Sequence, residues 1–381
     1  MRKKIQRILE NAVAAGENAG SNLLVLRDGD EWIYAEAGMA DIGSGHKIRR
    51  DSIFRLYSMT KPVTSAAVMK LMEMGKIDLL DPVEKWLPAF KNQQVCTKDG
   101  TAAALRSVNL RDLLSMTAGL CYPGEDAAGQ AAARVFEENQ RAIDRGEGMC
   151  TRDFVSALGQ CPLAFQPGEH FRYSTCADVL GAVVEAVSGH RFSDFLKSFF
   201  FDPLGMRDTD FYVRPEAEAR FVTCYQRTPA GLVPWTGRHL CCGEYGMPPA
   251  FESGGAGLVS TLDDYARFAT MLLNGGVFKG KRILEEGTVR FMTSNQLMPG
   301  PLSEMWDSLW GFGYGKLMRV CMDPGRYCGL ASRGEYGWDG WLGTYFANLP
   351  EERMTILYME NTVDTGTSST VRKVRNVLLA K

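Results

Sequence analysis

The sequence predicts an α+β fold, an antiparallel β-sheet flanked by helices with an inserted mostly helical region, on three observations. The first is a hairpin near the start of the chain. Leu23-Leu24-Val25-Leu26 and Glu31-Trp32-Ile33-Tyr34-Ala35 flank Arg27-Asp28-Gly29-Asp30, and Asp-Gly between strand-like runs marks a tight reversal. The second is a matching pair near the other end, Thr344-Tyr345-Phe346-Ala347-Asn348-Leu349 and Met354-Thr355-Ile356-Leu357-Tyr358-Met359, around a Pro350-Glu351-Glu352-Arg353 turn. The third is a change of character between them. Val179-Leu180, Val183-Val184 and Val187 fall at helical spacing and stop at Gly189, and loops rich in Pro and Gly surround 121–130 and 229–257.

Hairpins at both ends imply antiparallel pairing, because parallel strands need long crossovers. A sheet built from both ends then leaves residues 1–80 and 245–381 as the sheet domain and 81–244 as an inserted, mainly helical domain. A helix is expected before the first hairpin and another over roughly Ser369 to Leu379.

The composition is that of a soluble globular chain. At 381 residues, 45% hydrophobic and 23% charged, it is long enough to bury a sizeable core. A net charge of −2, with no extended basic cluster beyond Arg2-Lys3-Lys4, argues against nucleic acid or an anionic membrane as partner. The first residues carry positive charge, but Gln6, Arg7, Glu10 and Asn11 interrupt any apolar export region. No later segment approaches the roughly 20 apolar residues a bilayer requires, so a cytoplasmic location is expected. The ten cysteines are scattered without a Cys-x-x-Cys pair, and the four histidines are far apart without a His-Glu-x-x-His. These patterns favour reduced packing thiols over disulfides, and they predict no metal and no cofactor. Gly254-Gly255-Ala256-Gly257 lacks a nucleotide-binding context and reads as turn or strand-entry glycines.

Phe54-Arg55-Leu56-Tyr57-Ser58-Met59-Thr60-Lys61-Pro62 carries the chemistry. Ser58 precedes Lys61 by about one helical turn, which puts hydroxyl and amine on one face. A serine is a poor nucleophile until a base takes its proton, and Ser-Lys pairing is one way to supply that base. Val63, Ala66, Ala67, Met74 and the stem of Lys70 give helical periodicity until Gly75, and Pro62 suits a first turn. The competing reading of Ser58 is an ordinary helix cap. A second Ser-x-x-Lys, at Ser44 and Lys47, sits in turn chemistry with nothing to align it. A protonated lysine cannot accept a proton, so a second helper is needed. Tyr173, in a turn that feeds the Val179 helix, is the candidate, with simple packing as the alternative.

The ordered motifs resemble the serine β-lactamase and penicillin-binding-protein superfamily, most nearly the family VIII carboxylesterases. The resemblance runs nearly end to end through Ser58-Met59-Thr60-Lys61, Leu113-Leu114-Ser115-Met116-Thr117-Ala118-Gly119-Leu120, and Tyr173-Ser174 followed by Asp178-Val179-Leu180-Gly181. It continues through Glu252-Ser253-Gly254-Gly255-Ala256-Gly257-Leu258-Val259-Ser260-Thr261 and Gly337-Trp338-Asp339-Gly340-Trp341-Leu342-Gly343-Thr344. It implies a β-lactamase/transpeptidase-like sheet, Ser58 as the acylated nucleophile, Lys61 and Tyr173 sharing the base role, and Trp338-Asp339-Gly340 as a strand lining the site. It also implies an oxyanion hole made by the Ser58 and Trp341 backbone N–H groups.

Two departures from that pattern bear on substrate. Trp338-Asp339-Gly340 stands where β-lactamases carry Lys-Thr-Gly, so the cation that would grip a β-lactam carboxylate is missing. Trp338 then offers apolar surface to an ester. Asp339 either faces the cleft, disfavouring anionic substrates, or points away as alternate strand residues do. Thr175 replaces the asparagine of Tyr-x-Asn, which weakens a lactamase reading further. Tyr122 is expected at the cleft rim and Phe312 in strand or core packing. The resulting expectation is a serine carboxylesterase acting on a small-molecule ester. Acyl transfer, β-lactam or D-peptide hydrolysis, and a non-catalytic scaffold are the alternatives.

Overall fold

In the computed structural model, which describes residues 1–243 and 245–380, period-two alternation sorts the strands' side chains onto two faces. The boundary residue Glu244 and the terminal Lys381 lie outside that description. The strands that build the main sheet and carry the site are β1 (Gly20–Arg27), β2 (Asp30–Asp41), β3 (His46–Lys47), β4 (Ile53–Arg55), β5 (Val259–Thr261), β6 (Phe312–Tyr314), β7 (Arg319–Cys321), β8 (Tyr336–Asp339), β9 (Tyr345–Leu349) and β10 (Met354–Met359). Eight of them form one antiparallel sheet in the order β6-β7-β8-β9-β10-β1-β2-β3, while β4 and β5 pair separately.

The two ends of the chain meet at β1 and β10, which pair from Asn22 opposite Met359 to Arg27 opposite Met354. The first hairpin turns at Asp28 and Gly29, both left-handed with φ of 54° and 90°. That pair of conformations matches the twist of the flanking strands.

Six helices frame this sheet and the site: α1 (Arg2–Ala14), α2 (Thr60–Glu73), α3 (Ala127–Asp144), α4 (Cys176–Ser188), α5 (Leu262–Leu273) and α6 (Ser369–Leu379). Leu23, Val25, Ile356 and Tyr358 project to the face covered by α1 and α6, with Ile5, Leu9, Val371 and Val374 against them. Their strand neighbours Leu24, Leu357 and Met359 project to the opposite face, into the larger core with α2, α4 and α5. A one-residue slip would exchange these faces, so burial fixes the register.

Helix α2 is buried over every residue from Thr60 to Met69 and again at Leu71. It runs through the core between the sheet and α4. Met74 departs from the expected apolar stripe, because it lies past the helix end and is 43% exposed. Gly75, at φ 67°, ends the run as expected. All ten cysteines are free thiols, and no helix among the described residues is long and apolar enough to cross a membrane.

Helix α6 is fastened by an ion pair inside the protein. Arg375 donates to Glu335 Oε1 at 2.5 Å and Oε2 at 2.8 Å and to the Tyr345 hydroxyl at 2.6 Å, with the arginine 2% and the glutamate 0% exposed. Removing one member of such a pair strands the other charge. Arg375→Met is therefore expected to lower unfolding free energy by about 3–5 kcal/mol in urea titrations, and Arg375→Met with Glu335→Leu to recover part of that loss.

Candidate active site

A short 3-10 turn over Tyr57–Met59 leads directly into α2 and carries Ser58 at its centre. The turn is held from several sides. The Leu56 N–H donates to Leu258 O at 2.9 Å, Tyr265 OH donates to Met59 O at 2.8 Å, and Thr344 Oγ1 donates to Leu56 O at 3.0 Å. Tyr57, just before the serine, is left-handed at φ 45°, a conformation that a bulky residue keeps only when its surroundings enforce it.

Lys61 is 0% exposed. Its Nζ donates to Ser58 Oγ at 3.1 Å, to Tyr122 OH at 3.1 Å and to the Gly255 carbonyl at 2.8 Å. Burial disfavours the ammonium and brings the pKa down to about 7, although the nearby Asp178 carboxylate pulls the other way. Lys61 can therefore exist as a neutral amine beside the hydroxyl at ordinary pH.

The Gly255 carbonyl reaches Lys61 because of the glycines that read as a turn in the sequence. A Cβ on Gly254 would meet the Ala177 carbonyl oxygen at 2.3 Å, and one on Gly255 would meet Asp178 Oδ2 at 2.9 Å and Tyr122 OH at 3.0 Å. Asp178, in the first turn of α4, accepts from Ser253 Oγ at 2.6 Å and from the Gly255 N–H at 3.0 Å. Its Oδ1 thus holds the loop that presents the carbonyl.

Tyr173 lies three residues before α4. Its phenol accepts the Trp338 indole N–H at 3.0 Å. Burial drives the phenol pKa up, against the lowering effect of hydrogen bonds to Ser58 and Trp338. Its ring centroid lies 4.5 Å from Lys61 Nζ. Ser58 and Lys61, one helical turn apart, are thus brought into contact with Tyr173 from a remote part of the chain.

Tyr122 is in contact with Lys61 through its hydroxyl, deeper than a cleft rim. Trp338 is 4% exposed, and its indole N–H is directed to Tyr173 more than its ring is offered to solvent. Asp339 lines the cleft and accepts from the Arg319 guanidinium at 3.1 Å. Arg319 answers its charge, so a bias against anionic substrates does not follow from Asp339 alone. Gly340 is where β8 meets the nucleophile turn: a Cβ there would lie 2.3 Å from the Leu56 carbonyl oxygen and 2.2 Å from Thr344 Oγ1. Phe312 is buried in β6 against Tyr327. The other Ser-x-x-Lys copy is not assembled, since the Ser44 hydroxyl donates to Asp41 at 2.7 Å on an exposed turn.

Ser58 lies between two cavities. One, of about 370 Å³, is bounded by Tyr57, Phe136, His239, Leu240 and Trp341; the other, of about 730 Å³, by Trp306, Phe312, Trp338 and Asp339. Ser58, Tyr173 and Trp341 border both. The Ser58 and Trp341 N–H groups donate to no backbone carbonyl among the described residues, which leaves them able to meet a ligand oxygen.

Sequence reasoning did not identify Asp178 as a support, the Gly255 carbonyl, His239 or Trp306. Trp306 stands edge-on to Tyr173, with centroids 5.4 Å apart. Its segment is latched by Glu304, which contacts His170 Nδ1 at 2.5 Å and accepts the Phe171 N–H at 2.7 Å. Asp178 and Gly255 both lie inside the family-like motifs, but nothing in the residue types pointed to His239 or Trp306.

A family model described as Beta-lactamase matches residues 5–381. Protein Rv1367c of Mycobacterium tuberculosis is 33% identical over 359 residues, covering 91% of this chain and 86% of that protein. Esterase EstB of Burkholderia gladioli is 29% identical over 383 residues, covering 96% and 91%. Among solved structures, "EstCE1, a hydrolase with promiscuous acyltransferase activity" superposes with a TM-score of 0.81 at 27% identity, covering 98% of each chain.

The geometry generates a pH dependence. Below pH 7 Lys61 holds its proton and cannot accept another; above it the neutral amine can. Labelling of Ser58 by a fluorophosphonate should rise with pH around a midpoint near 7. A rate that stays flat from pH 5 to 9 would contradict this.

Proposed function

The chain belongs to the beta-lactamase family, and from that premise we propose that it is a serine carboxylesterase cleaving small carboxylic esters through an acyl-enzyme on Ser58. The observation that carries the reading is the buried Lys61 amine hydrogen-bonded to Ser58 Oγ, next to a strand motif that has Trp338 where a lysine would bind a β-lactam carboxylate.

In the proposed route Ser58 Oγ attacks the ester carbonyl as Lys61 and Tyr173 take its proton. The carbonyl's π electrons move to oxygen, which rests on the Ser58 and Trp341 amides. The tetrahedral adduct then collapses, the C–O bond to the alcohol breaks, and the same pair returns a proton to the leaving oxygen. Water attacks the acyl-enzyme by the reverse exchange and releases the acid. Lys61 and Tyr173 are in contact with one hydroxyl and share their protons, so the base belongs to the pair. The relative named Esterase EstB and the hydrolase EstCE1 support this reading.

A second reading, acyl transfer, is favoured by the cavities on both sides of Ser58. An alcohol or amine could approach from one while the acyl group fills the other, and the printed title of EstCE1 includes such an activity. D-peptide cleavage has relatives named putative D-alanyl-D-alanine carboxypeptidase at 26% identity, but the absent strand lysine argues against it.

Turnover of p-nitrophenyl esters should fall at least about 1,000-fold in Ser58→Ala, and nitrocefin turnover by the wild type should be far below ester turnover. Equal ester rates in the two proteins would refute the proposal. Trp306→Ala opens the 730 Å³ cavity and should raise kcat/KM for long-chain over short-chain esters by about 10-fold, the scale of a few methylenes in an apolar pocket. An unchanged chain-length profile would remove Trp306 from the pocket wall.

A further inference from the structure

We propose that His239 is a positioning residue, which holds the Trp341 amide in place by stacking its imidazole on the Trp341 ring. This rests on the reading that the Ser58 and Trp341 amides receive the oxyanion.

The two rings lie 4.0 Å apart at 28°. Tyr57 packs against both, 5.1 Å from Trp341 and 5.7 Å from His239, and Trp235 closes the cluster edge-on to Trp341 at 5.4 Å. Tyr57 is the residue before Ser58, so one aromatic cluster touches both arms of the proposed oxyanion site. Ring stacking of this kind stabilises beyond burial alone and fixes orientation.

The backbone that presents His239 is strained. The Cys242 N–H donates to His239 O at 3.0 Å, and the His239 N–H to Cys242 O at 3.3 Å. Between them Leu240 and Cys241 are both left-handed, at φ 56° and 57°. Glycine or asparagine normally fills such positions, because a bulkier side chain there crowds the following carbonyl oxygen. The turn is held by Cys242, buried in the cluster that includes Tyr57 and Leu342, and by Cys241 Sγ, 3.4 Å from the Phe136 carbonyl oxygen. Strain kept beside a site is the kind of feature that positions a group.

The imidazole itself is not placed as a base. Lys61 directs its hydrogen bonds to Ser58, Tyr122 and Gly255, and His239 Nδ1 is buried without a hydrogen-bond partner. Burial lowers the His239 pKa to about 4, so near neutrality the ring packs as an uncharged aromatic.

The test compares His239→Ala, His239→Gln and His239→Phe for kcat and KM on a p-nitrophenyl ester, for the active fraction by fluorophosphonate titration, and for Ki of an alkyl trifluoromethyl ketone. Ser58 Oγ adds to that ketone, the proton passes to the Lys61 and Tyr173 pair, and the new oxyanion occupies the two amides. Ala and Gln should each lower kcat about 10-fold per titrated site and raise Ki about 10-fold with KM within about 2-fold. Phe, which keeps the stack, should stay within about 3-fold of wild type in both. If Ala does not fold, Gln alone decides the comparison. Unchanged Ki in the non-aromatic variants, a lower active fraction with normal Ki, or a Phe variant as impaired as Gln would overturn the inference while leaving ester hydrolysis intact. A wild type that turns over no ester and takes no label would remove the parent reading, and His239's role with it.

Discussion

A primary amine held dry beside a serine hydroxyl is the constraint around which the rest of this molecule is arranged. An exposed Lys61 would carry a proton near neutrality and would be no base. Placed at the second residue of a helix whose first ten residues are all buried, it loses that proton near pH 7. Two influences compete there, since desolvation expels the proton and the Asp178 carboxylate would retain it. Desolvation wins because Asp178 makes no ion pair with the amine. Its Oδ1 accepts from Ser253 Oγ and the Gly255 N–H, and a backbone carbonyl with no net charge meets Lys61 instead.

The fold makes that arrangement possible by close backbone approach. Gly254 lets the 253–257 loop pass between α2 and α4, and Gly340 lets the end of β8 press on the turn that carries Ser58. In each place a methyl group would collide with a carbonyl oxygen. The nucleophile, the amine, the phenol and the two outward amides therefore come from three remote segments joined by contacts that tolerate no side chain. The strand supplies a rigid wall: Trp338 faces inward on β8 and reaches the Tyr173 phenol, and Asp339 beside it lines the larger cavity, where Arg319 meets its charge.

Much of this was legible in the sequence, for identifiable reasons. Asp28-Gly29 demands left-handed backbone, so the first hairpin could be read from two residues. The Ser58 and Lys61 spacing needed only one helical turn, and Gly75 marked its end. What escaped had no residue-type signal. The Gly255 carbonyl is a backbone group, and the sequence shows only permissive glycines. Tyr122 and Trp338 were recognised as belonging near the site, but their contacts, to Lys61 and to Tyr173, depend on loop paths that periodicity does not encode. His239 looked like one of four isolated histidines, because its neighbour Trp341 is about a hundred residues away in the chain. Met74 continued the apolar pattern by spacing and left it by geometry, since the helix had already stopped.

Burial, rather than a partner charge, prepares Lys61 to accept a proton. The most direct test of this is an NMR titration of the Lys61 side chain in protein carrying 13C at the lysine ε-carbon, assigned by comparison with Lys61→Met. A midpoint near pH 7 is what the geometry requires, and a midpoint near the ordinary lysine value of about 10.4 would contradict it.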